Sequence, residues 1–165
     1  MEKGEAFPRF VLQADSGEEI DSDFLKGIRY VVFFYSKDNT PGCTKEVTEF
    51  NALNPKFALR NIPVFGVSKD SVASHAKFRE KLGLKIKLLS DPNSELARQV
   101  GAYGEKKCYG KVCEGTIRST FLIGKDGTVE EAWHNVKAAG HAEKVLDGTL
   151  SHFRSDAADK GLRDF

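Results

Sequence analysis

Continuous apolar stretches alternate along the first hundred residues with stretches in which apolar residues recur every three or four positions. Runs of apolar, β-branched and aromatic residues are typical of strands buried on both faces of a sheet, and the longer period is typical of helices. Strands are predicted at 28–35, 62–68 and 86–90, and helices at about 41–53, 71–82 and 91–101. The chain therefore starts with strand–helix–strand units.

Proline, glycine and capping residues mark the expected helix boundaries. Pro55 is expected to end or break the first helix, and Gly83 to end the second. In the third helix, Asn93 or Ser94 is expected near the N-cap. The first 25 residues are expected to add a short hairpin and a helical turn at one edge of the sheet.

The order of elements changes in the last third of the chain. Apolar stretches at 116–124 and 128–134 flank the sequence KDG, a turn signal typical of a β-hairpin. A last helix is predicted at about 140–153. These elements predict an α/β fold with a mixed central sheet flanked by helices, in one domain from 1 to 154, followed by a polar tail at 155–165.

Composition narrows the class of protein. Lys plus Arg total 25 and Asp plus Glu total 24, so the chain lacks the basic excess of a nucleic-acid-binding protein. No apolar run approaches the roughly 20 residues that span a bilayer, and the N-terminal residues do not resemble a signal peptide. Three cysteines are too few for a secreted disulfide scaffold. We therefore expect a cytoplasmic protein that binds neither nucleic acid nor membranes.

One cysteine occupies a chemically distinctive place. Thr40 is a good N-cap residue, Pro41 then falls at N1, Gly42 at N2 and Cys43 at N3 of the first helix. Unpaired N–H groups and the positive end of the helix dipole lower the pKa of a thiol there and favour the nucleophilic thiolate. The alternative is that Cys43 is a small core residue at a helix start. Spacing alone leaves both interpretations open.

Several separated segments resemble one family. The segment KDNTPGCTKE (37–46) resembles the active-site segment of the peroxiredoxins, nearest to the bacterioferritin comigratory protein or peroxiredoxin Q subfamily. Further segments resemble their counterparts in the same order: FGVSKDS (65–71), LLSDPNSELARQVGAYGEKK (88–107), GTIRSTFLIGKDG (115–127) and VKAAGHAEKVL (136–146). The resemblance implies a thioredoxin fold with an N-terminal extension, and a thiol peroxidase.

The resemblance also implies roles for individual residues. Cys43, supported by Pro41 and Gly42, would be the peroxidatic cysteine, and Thr40 would present its hydroxyl to the peroxide. Arg118 would place a fixed positive charge beside Cys43, although the residue pattern alone indicates a solvated strand arginine. Glu46 is one helical turn from Cys43, and it either orients Arg118 or is a first-turn acid favoured by the helix dipole.

The implied cycle needs no cofactor. Cys43 would reduce hydrogen peroxide or an organic hydroperoxide and become a sulfenic acid, which a thiol then attacks. A thiol reductant such as thioredoxin or a glutaredoxin-type donor would close the cycle in a monomer or weak dimer. No metal site is expected, because the four histidines form no ligand-spaced motif and Cys108 and Cys113 lack the usual zinc spacing.

Two positions depart from the family pattern. Ser36 stands where the motif has a proline, which leaves the solvent access of the site open. Thr48 stands where many members carry the resolving cysteine, so resolution from within the helix is excluded. Cys108 and Cys113 are then inert surface residues, a joint resolving pair, or one resolving cysteine and one bystander. If neither resolves, the thiol comes from outside the protein.

Two other functions compete with the peroxidase. A thioredoxin-like disulfide reductase is disfavoured because Thr40 and Glu46 occupy the positions that a C-x-x-C partner of Cys43 would need. No proline follows Pro92 to serve as the cis-proline of thioredoxins. A holdase or partner-binding module that has lost catalysis remains open because of Ser36 and Thr48.

Overall fold

The computed structural model describes residues 1–149, apart from the side chain of Cys108. The strands are β1 (Val11–Ala14), β2 (Glu19–Asp21), β3 (Tyr30–Phe34), β4 (Val64–Ser68), β5 (Lys87–Ser90), β6 (Tyr103–Cys108), β7 (Lys111–Thr116), β8 (Ser119–Ile123) and β9 (Val129–Trp133). The helices are α1 (Pro41–Leu59), α2 (Val72–Leu82), α3 (Glu95–Gln99) and α4, which covers 141–149.

Seven of these strands form one mixed sheet in the order β2-β1-β5-β4-β3-β8-β9. Strands β3, β4 and β5 run parallel, as expected of strand–helix–strand units, and the outer strands pair antiparallel. The predicted mixed sheet, the N-terminal hairpin with its helical turn at Ser22–Leu25, and the hairpin at KDG are confirmed. The carboxyl end of β3 therefore lies in the centre of the sheet, where α1 begins.

Side chains of β3 alternate between two buried clusters. Val31 and Phe33 face the cluster covered by α1, α2 and α4, whereas Val32 and Phe34 face the cluster closed by the N-terminal segment and α3. All five residues of β3 are buried, which explains why the run is almost purely apolar. Cys43 belongs to the first cluster, so α1 places it against the sheet.

Helix α1 is longer than its sequence pattern predicts. Pro55 lies inside the helix, which continues to Leu59, so the prediction that Pro55 ends or breaks it is wrong. The proline removes the hydrogen bond to the carbonyl of Asn51, a cost of about 3 kcal/mol or more in a helix interior. Phe57 lies beyond the proline, fully buried, with its ring centroid 6.2 Å from that of Phe50. Burial of this last turn offsets the proline, because a fully buried Phe contributes about 1.5–3 kcal/mol.

The segment between α3 and β8 is a two-stranded antiparallel hairpin of β6 and β7. Tyr109 and Gly110 form its turn with φ of 52° and 81°. Positive φ at both central residues is the geometry of the tight hairpin turn whose twist matches the flanking strands. We refer to β6, β7 and this turn as the cysteine hairpin.

Only some of the predictions for the C-terminal residues can be compared with the structure. The last helix is present as far as residue 149, but its predicted end at 153, the domain boundary at 154 and the tail at 155–165 lie outside the described residues. Near the third predicted helix, a 3-10 turn at Pro92–Ser94 precedes the short α3. Within residues 1–149, none of the helices combines the length and the apolar character needed to cross a membrane.

Candidate active site

Cys43 lies at the third position of α1 and is a free thiol, 2% exposed. It belongs to the same buried cluster as Val47 and Phe50, which lie four and seven residues further along the helix. Because the helix begins at Pro41, the sulfur is both part of the core and next to the helix N-terminus. The two interpretations of the sequence are therefore compatible.

Arg118 approaches the cysteine from the segment between β7 and β8. Its Nη2 atom lies 3.5 Å from the Cys43 sulfur, and its Nη1 atom donates a 2.8 Å hydrogen bond to Oε1 of Glu46. A Cβ atom on Gly42 would lie 3.2 Å from Nη2, so the glycine leaves room for the guanidinium. The pKa of Arg118 is lowered by burial, but Glu46 and Cys43 outweigh this effect and raise it above its ordinary value.

Glu46 is fully buried and shares one carboxylate oxygen with Arg118. Its other oxygen, Oε2, has no hydrogen-bond partner among the described residues. Burial raises the pKa of Glu46 to about 7, although Arg118 opposes the shift. Glu46 is thus placed to orient the guanidinium, and it carries a proton that exchanges near neutral pH.

Thr40 takes the N-cap position of α1 with extended backbone dihedrals, as predicted, but its side chain does not cap the helix. The hydroxyl instead donates to the carbonyl of Lys37 at 2.9 Å and closes the turn before the helix. The predicted capping hydrogen bond is therefore absent. A hydroxyl that donates in this way keeps its oxygen lone pairs available as acceptors.

The cysteine hairpin reaches the same loop through Lys106. The Nζ atom of Lys106 donates to the Thr116 carbonyl at 2.9 Å and contacts Oγ of Ser36 at 3.4 Å. Ser36 stands where the family motif has a proline, so this residue joins the active-site loop to the hairpin instead.

The two remaining cysteines lie in the paired strands of this hairpin. Cys113 is directly opposite Lys106 and is half-buried and disulfide-bonded. Residues directly opposite in an antiparallel pair project from the same face, so Cys113 lies on the face from which Lys106 reaches Ser36. Cys108 pairs with Lys111, and its side chain is outside the described part of the structure.

Sequence reasoning missed a buried polar group below the loop that precedes α1. Asp38, Asp70 and His75 form the single set of ligand-type side chains in residues 1–149 that is close enough to hold a metal ion. Nδ1 of His75 already lies 2.7 Å from Oδ2 of Asp38, and its Nε2 lies 3.1 Å from the Leu89 carbonyl. The ligand atoms are thus occupied by each other, and we interpret the group as a hydrogen-bond network.

A second buried histidine lies near Arg118. Nε2 of His141 is 2.7 Å from the Thr120 hydroxyl, and its ring packs edge-on against Phe50. Burial, with smaller contributions from Arg118 and Lys144, lowers the pKa of His141 to about 4. The residue is therefore neutral at physiological pH and leaves Arg118 as the cation beside Cys43.

Comparisons with known proteins agree with this geometry. The profile of the AhpC/TSA family matches residues 3–132. The chain is 44% identical to a putative peroxiredoxin bcp of Helicobacter pylori over 147 residues, which cover 89% of this chain and 97% of the relative. It is 39% identical to peroxiredoxin Bcp of Bacillus subtilis over 146 residues, or 88% and 93% of the two chains.

Among solved structures, one similar fold is the bacterioferritin comigratory protein of Xanthomonas campestris, studied for its alkyl peroxide reduction activity. The TM-score is 0.82 at 41% sequence identity, over 87% of this chain and 91% of that chain.

Proposed function

This chain belongs to the AhpC/TSA family and is a thiol-dependent peroxidase, and we propose that Cys43 is the thiol that reacts with the peroxide. The observation that carries the proposal is the position of Arg118, whose guanidinium lies 3.5 Å from the Cys43 sulfur. A fixed cation and the N–H groups of a helix N-terminus both stabilise a thiolate, the nucleophilic form of cysteine.

In the first step the Cys43 thiolate attacks the terminal oxygen of the peroxide. The S–O bond forms while the O–O bond breaks, which leaves a sulfenic acid on Cys43. The departing oxygen takes up a proton and leaves as water or an alcohol. Arg118 donates a hydrogen bond to the oxygen on which negative charge develops, while Glu46 holds the guanidinium in place. The Thr40 hydroxyl binds the peroxide.

The substrates are hydrogen peroxide and organic hydroperoxides. The relative from Xanthomonas campestris, described for alkyl peroxide reduction, supports the second class.

The cysteine hairpin resolves the sulfenic acid, with Cys108 and Cys113 acting as a joint pair. The thiol of Cys113 condenses with the sulfenic acid to form a Cys43–Cys113 disulfide and release water. The Cys108 thiolate then attacks the Cys113 sulfur, which forms a Cys108–Cys113 disulfide and returns the Cys43 thiolate. The disulfide state of Cys113, the free thiol of Cys43 and the contact of Lys106 with Ser36 support this route.

An external dithiol such as thioredoxin, or a glutaredoxin-type donor, reduces the hairpin disulfide. Tyr109 and Val112 are exposed at the tip of the hairpin, where a reductant has access to it. The protein acts as a monomer or weak dimer, which size-exclusion chromatography tests directly.

One experiment separates the two parts of the proposal. The fully reduced protein is treated with one equivalent of peroxide, and its cysteines are identified by alkylation and peptide mapping. We expect a disulfide between Cys108 and Cys113 and an alkylatable Cys43. Cys43→Ser should consume no peroxide, and Cys108→Ser should stop at a Cys43–Cys113 disulfide.

Two results would contradict the proposal in different ways. Wild-type peroxide turnover in Cys43→Ser would refute Cys43 as the reacting thiol. If Cys43 is instead found only as sulfenic or sulfinic acid, with Cys108 and Cys113 still alkylatable, the resolving thiol comes from outside the protein.

A further inference from the structure

The segment 36–40, just before helix α1, is held in place by several polar contacts of Asp38. The carboxylate of Asp38 accepts from the Tyr35 hydroxyl at 2.6 Å, from the Ser74 hydroxyl at 2.8 Å and from Nδ1 of His75 at 2.7 Å. The backbone N–H of Asp38 donates to Oδ2 of Asp70 at 2.8 Å. We refer to Tyr35, Asp38 and His75 as the loop anchor.

The anchor ties the loop to three separate elements. Tyr35 directly follows β3, Ser74 and His75 belong to the first turn of α2, and Nε2 of His75 lies 3.1 Å from the carbonyl of Leu89 in β5. Asp38 is 7% exposed, whereas Tyr35 and His75 are inaccessible to solvent. The contacts of Asp38 with Tyr35 and His75 are buried, which strengthens them and makes their loss costly, whereas the contact with Ser74 is partly buried.

The geometry also defines the partners of the His75 ring. The Leu89 carbonyl can only accept a hydrogen bond, so Nε2 of His75 donates to it. Nδ1 lies 2.7 Å from the Asp38 carboxylate. Removing one of these side chains would leave a buried polar group of the other without its partner, which is costly.

The loop connects the Asp38–His75 pair directly to the first turn of α1. Asp38 is two residues before Thr40, whose carbonyl accepts the 2.8 Å hydrogen bond from the N–H of Thr44 that closes the turn around Cys43. Asn39, between them, has a φ of 63°, a left-handed conformation that asparagine tolerates better than most residues. The anchor therefore fixes the turn that leads into the helix.

We propose that Asp38 and His75 are positioning residues for the peroxidase reaction, which keep the first turn of α1 wound so that Cys43 stays buried beside Arg118. They touch neither the peroxide nor the sulfur. This role rests on the proposed function of Cys43, but it concerns the geometry of the site rather than its chemistry.

The test compares two reactions of Cys43 whose rates should change in opposite directions. In Asp38→Asn, oxidation of Cys43 by peroxide should slow by about tenfold or more, because displacement of a reacting group by about 1 Å can cost 10²-fold. Alkylation of Cys43 by a bulky maleimide, measured at a pH where its rate no longer rises, should become faster because the thiol is exposed. A variant that is merely less stable would keep the wild-type rate of oxidation while it remains folded.

Tyrosines of the β3 region provide a milder and better matched pair of variants. Tyr35→Phe removes one donor from Asp38 and keeps the ring, whereas Tyr30→Phe removes a hydroxyl from the opposite face of the sheet. We expect Tyr35→Phe to change both rates in the same direction as Asp38→Asn, by a smaller factor, and Tyr30→Phe to leave them unchanged. This pair decides the matter if Asp38→Asn does not fold.

A double-variant cycle with His75→Gln tests whether Asp38 and His75 act as a unit. The combined Asp38→Asn, His75→Gln protein should be little worse than either single variant. Hydrogen exchange should show loss of protection at the Thr44 amide, with the amides of β8 unchanged.

Unchanged oxidation and alkylation rates in Tyr35→Phe and His75→Gln would overturn the proposal, as would equal effects of Tyr30→Phe. If the anchor variants have no effect but Cys43→Ser loses turnover under the same conditions, the positioning role is refuted and the proposed function of Cys43 is not.

Discussion

Two buried carboxylates flank the first turn of α1, and they differ in how their oxygens are bonded. Asp38, on the loop side, accepts hydrogen bonds from Tyr35, Ser74 and His75. Glu46, on the side of the thiol, accepts from Arg118 at one oxygen, and in the described part of the chain its second oxygen has no partner. A basic side chain lies beside each of them, His75 beside Asp38 and Arg118 beside Glu46, so the count of donors is what distinguishes the two.

The pKa values move in opposite directions as a result. Burial raises the pKa of Asp38, but bonds from His75, Tyr35 and Ser74 outweigh it and bring the pKa below its ordinary value. Burial also raises the pKa of Glu46, and there Arg118 alone does not compensate, so the pKa reaches about 7. The number of hydrogen bonds donated to the ionised carboxylate decides whether its pKa is raised or lowered.

The different bonding of Asp38 and Glu46 indicates different roles on the two sides of the first turn of α1. The side with Asp38 is fully bonded and holds the loop in one conformation. On the side with Cys43, one buried oxygen of Glu46 has no partner among the described residues, next to the thiol that we propose reacts with the peroxide. The following predictions test that division, from the largest expected effect to the smallest.

Replacement of Arg118 should affect the reaction far more than the fold. Arg118→Met should slow oxidation of Cys43 by about 10²–10³-fold, the usual loss when a donor to developing charge is removed. Arg118→Lys should retain part of the rate, because lysine keeps the charge without the planar fork. Stopped-flow oxidation measures both. Arg98→Met, at an exposed arginine, is the control and should retain the wild-type rate.

Replacement of Glu46 should change how stability depends on pH. Its folded pKa of about 7 exceeds the ordinary value of 4.5, so its contribution to stability is complete below pH 4.5 and is lost as pH rises through 7. Relative to Glu46→Gln, the wild-type protein should lose roughly 3 kcal/mol of unfolding free energy between about pH 4.5 and pH 8. Urea unfolding across this range measures the difference, and a constant difference contradicts the assignment.

Asp38 should show the reverse dependence. Its folded pKa is below the ordinary value of 3.8, so its contribution is complete above pH 3.8 and is lost as pH falls through the folded pKa. The advantage of the wild-type protein over Asp38→Asn should therefore shrink on acidification below about pH 4. If this advantage instead shrinks toward alkaline pH, the two carboxylates do not differ as described.

Thr40 lies between the two sides, and its hydroxyl can be tested separately from its backbone. Thr40→Val should slow peroxide oxidation roughly tenfold and lower the unfolding free energy by about 1 kcal/mol, the usual contribution of one hydrogen bond. Thr40→Ser keeps the hydroxyl and should retain most of both. Equal rates for Val and Ser would remove the hydroxyl from the reaction.

The smallest effect is expected at the contact between the cysteine hairpin and Ser36. Lys106→Met should slow resolution of the Cys43 sulfenic acid by a factor of about three, since a partly buried polar contact as long as 3.4 Å contributes only about 0.5–1 kcal/mol. The first oxidation step should be unchanged. Lys107→Met, at the neighbouring exposed residue, is the matched control. A slower first step in Lys106→Met would place this lysine in the peroxide site instead.

Local features of the site could be predicted because they depend on neighbouring residues. The order Thr40, Pro41, Gly42, Cys43 is enough to start a helix and to place a thiol at its third position. The apolar run of β3 and its place in a mixed sheet were likewise evident from the pattern. Arg118 and Glu46 were candidates because of the family resemblance, since their residue pattern alone gives no reason to pair them.

The cysteine hairpin was missed because its strands are short, charged and glycine-containing, so they lack the alternation of a half-buried sheet. A signal was nevertheless present in the Tyr109-Gly110 pair, although tyrosine is an uncommon residue at positive φ. Pro55 was misjudged for a different reason. The burial of Phe57 against Phe50, which no local rule contains, keeps α1 intact beyond the proline.

By itself the sequence determined where α1 begins, which residue faces the core from its third position, and the mixed α/β architecture around it. Only the tertiary structure decided what surrounds that residue. Arg118 lies 75 positions from Cys43, and His75 lies 37 positions from Asp38, so both contacts depend on how the sheet brings distant segments together. The protonation of Glu46 near neutral pH follows from its burial and from the count of its donors, which are properties of the packed molecule.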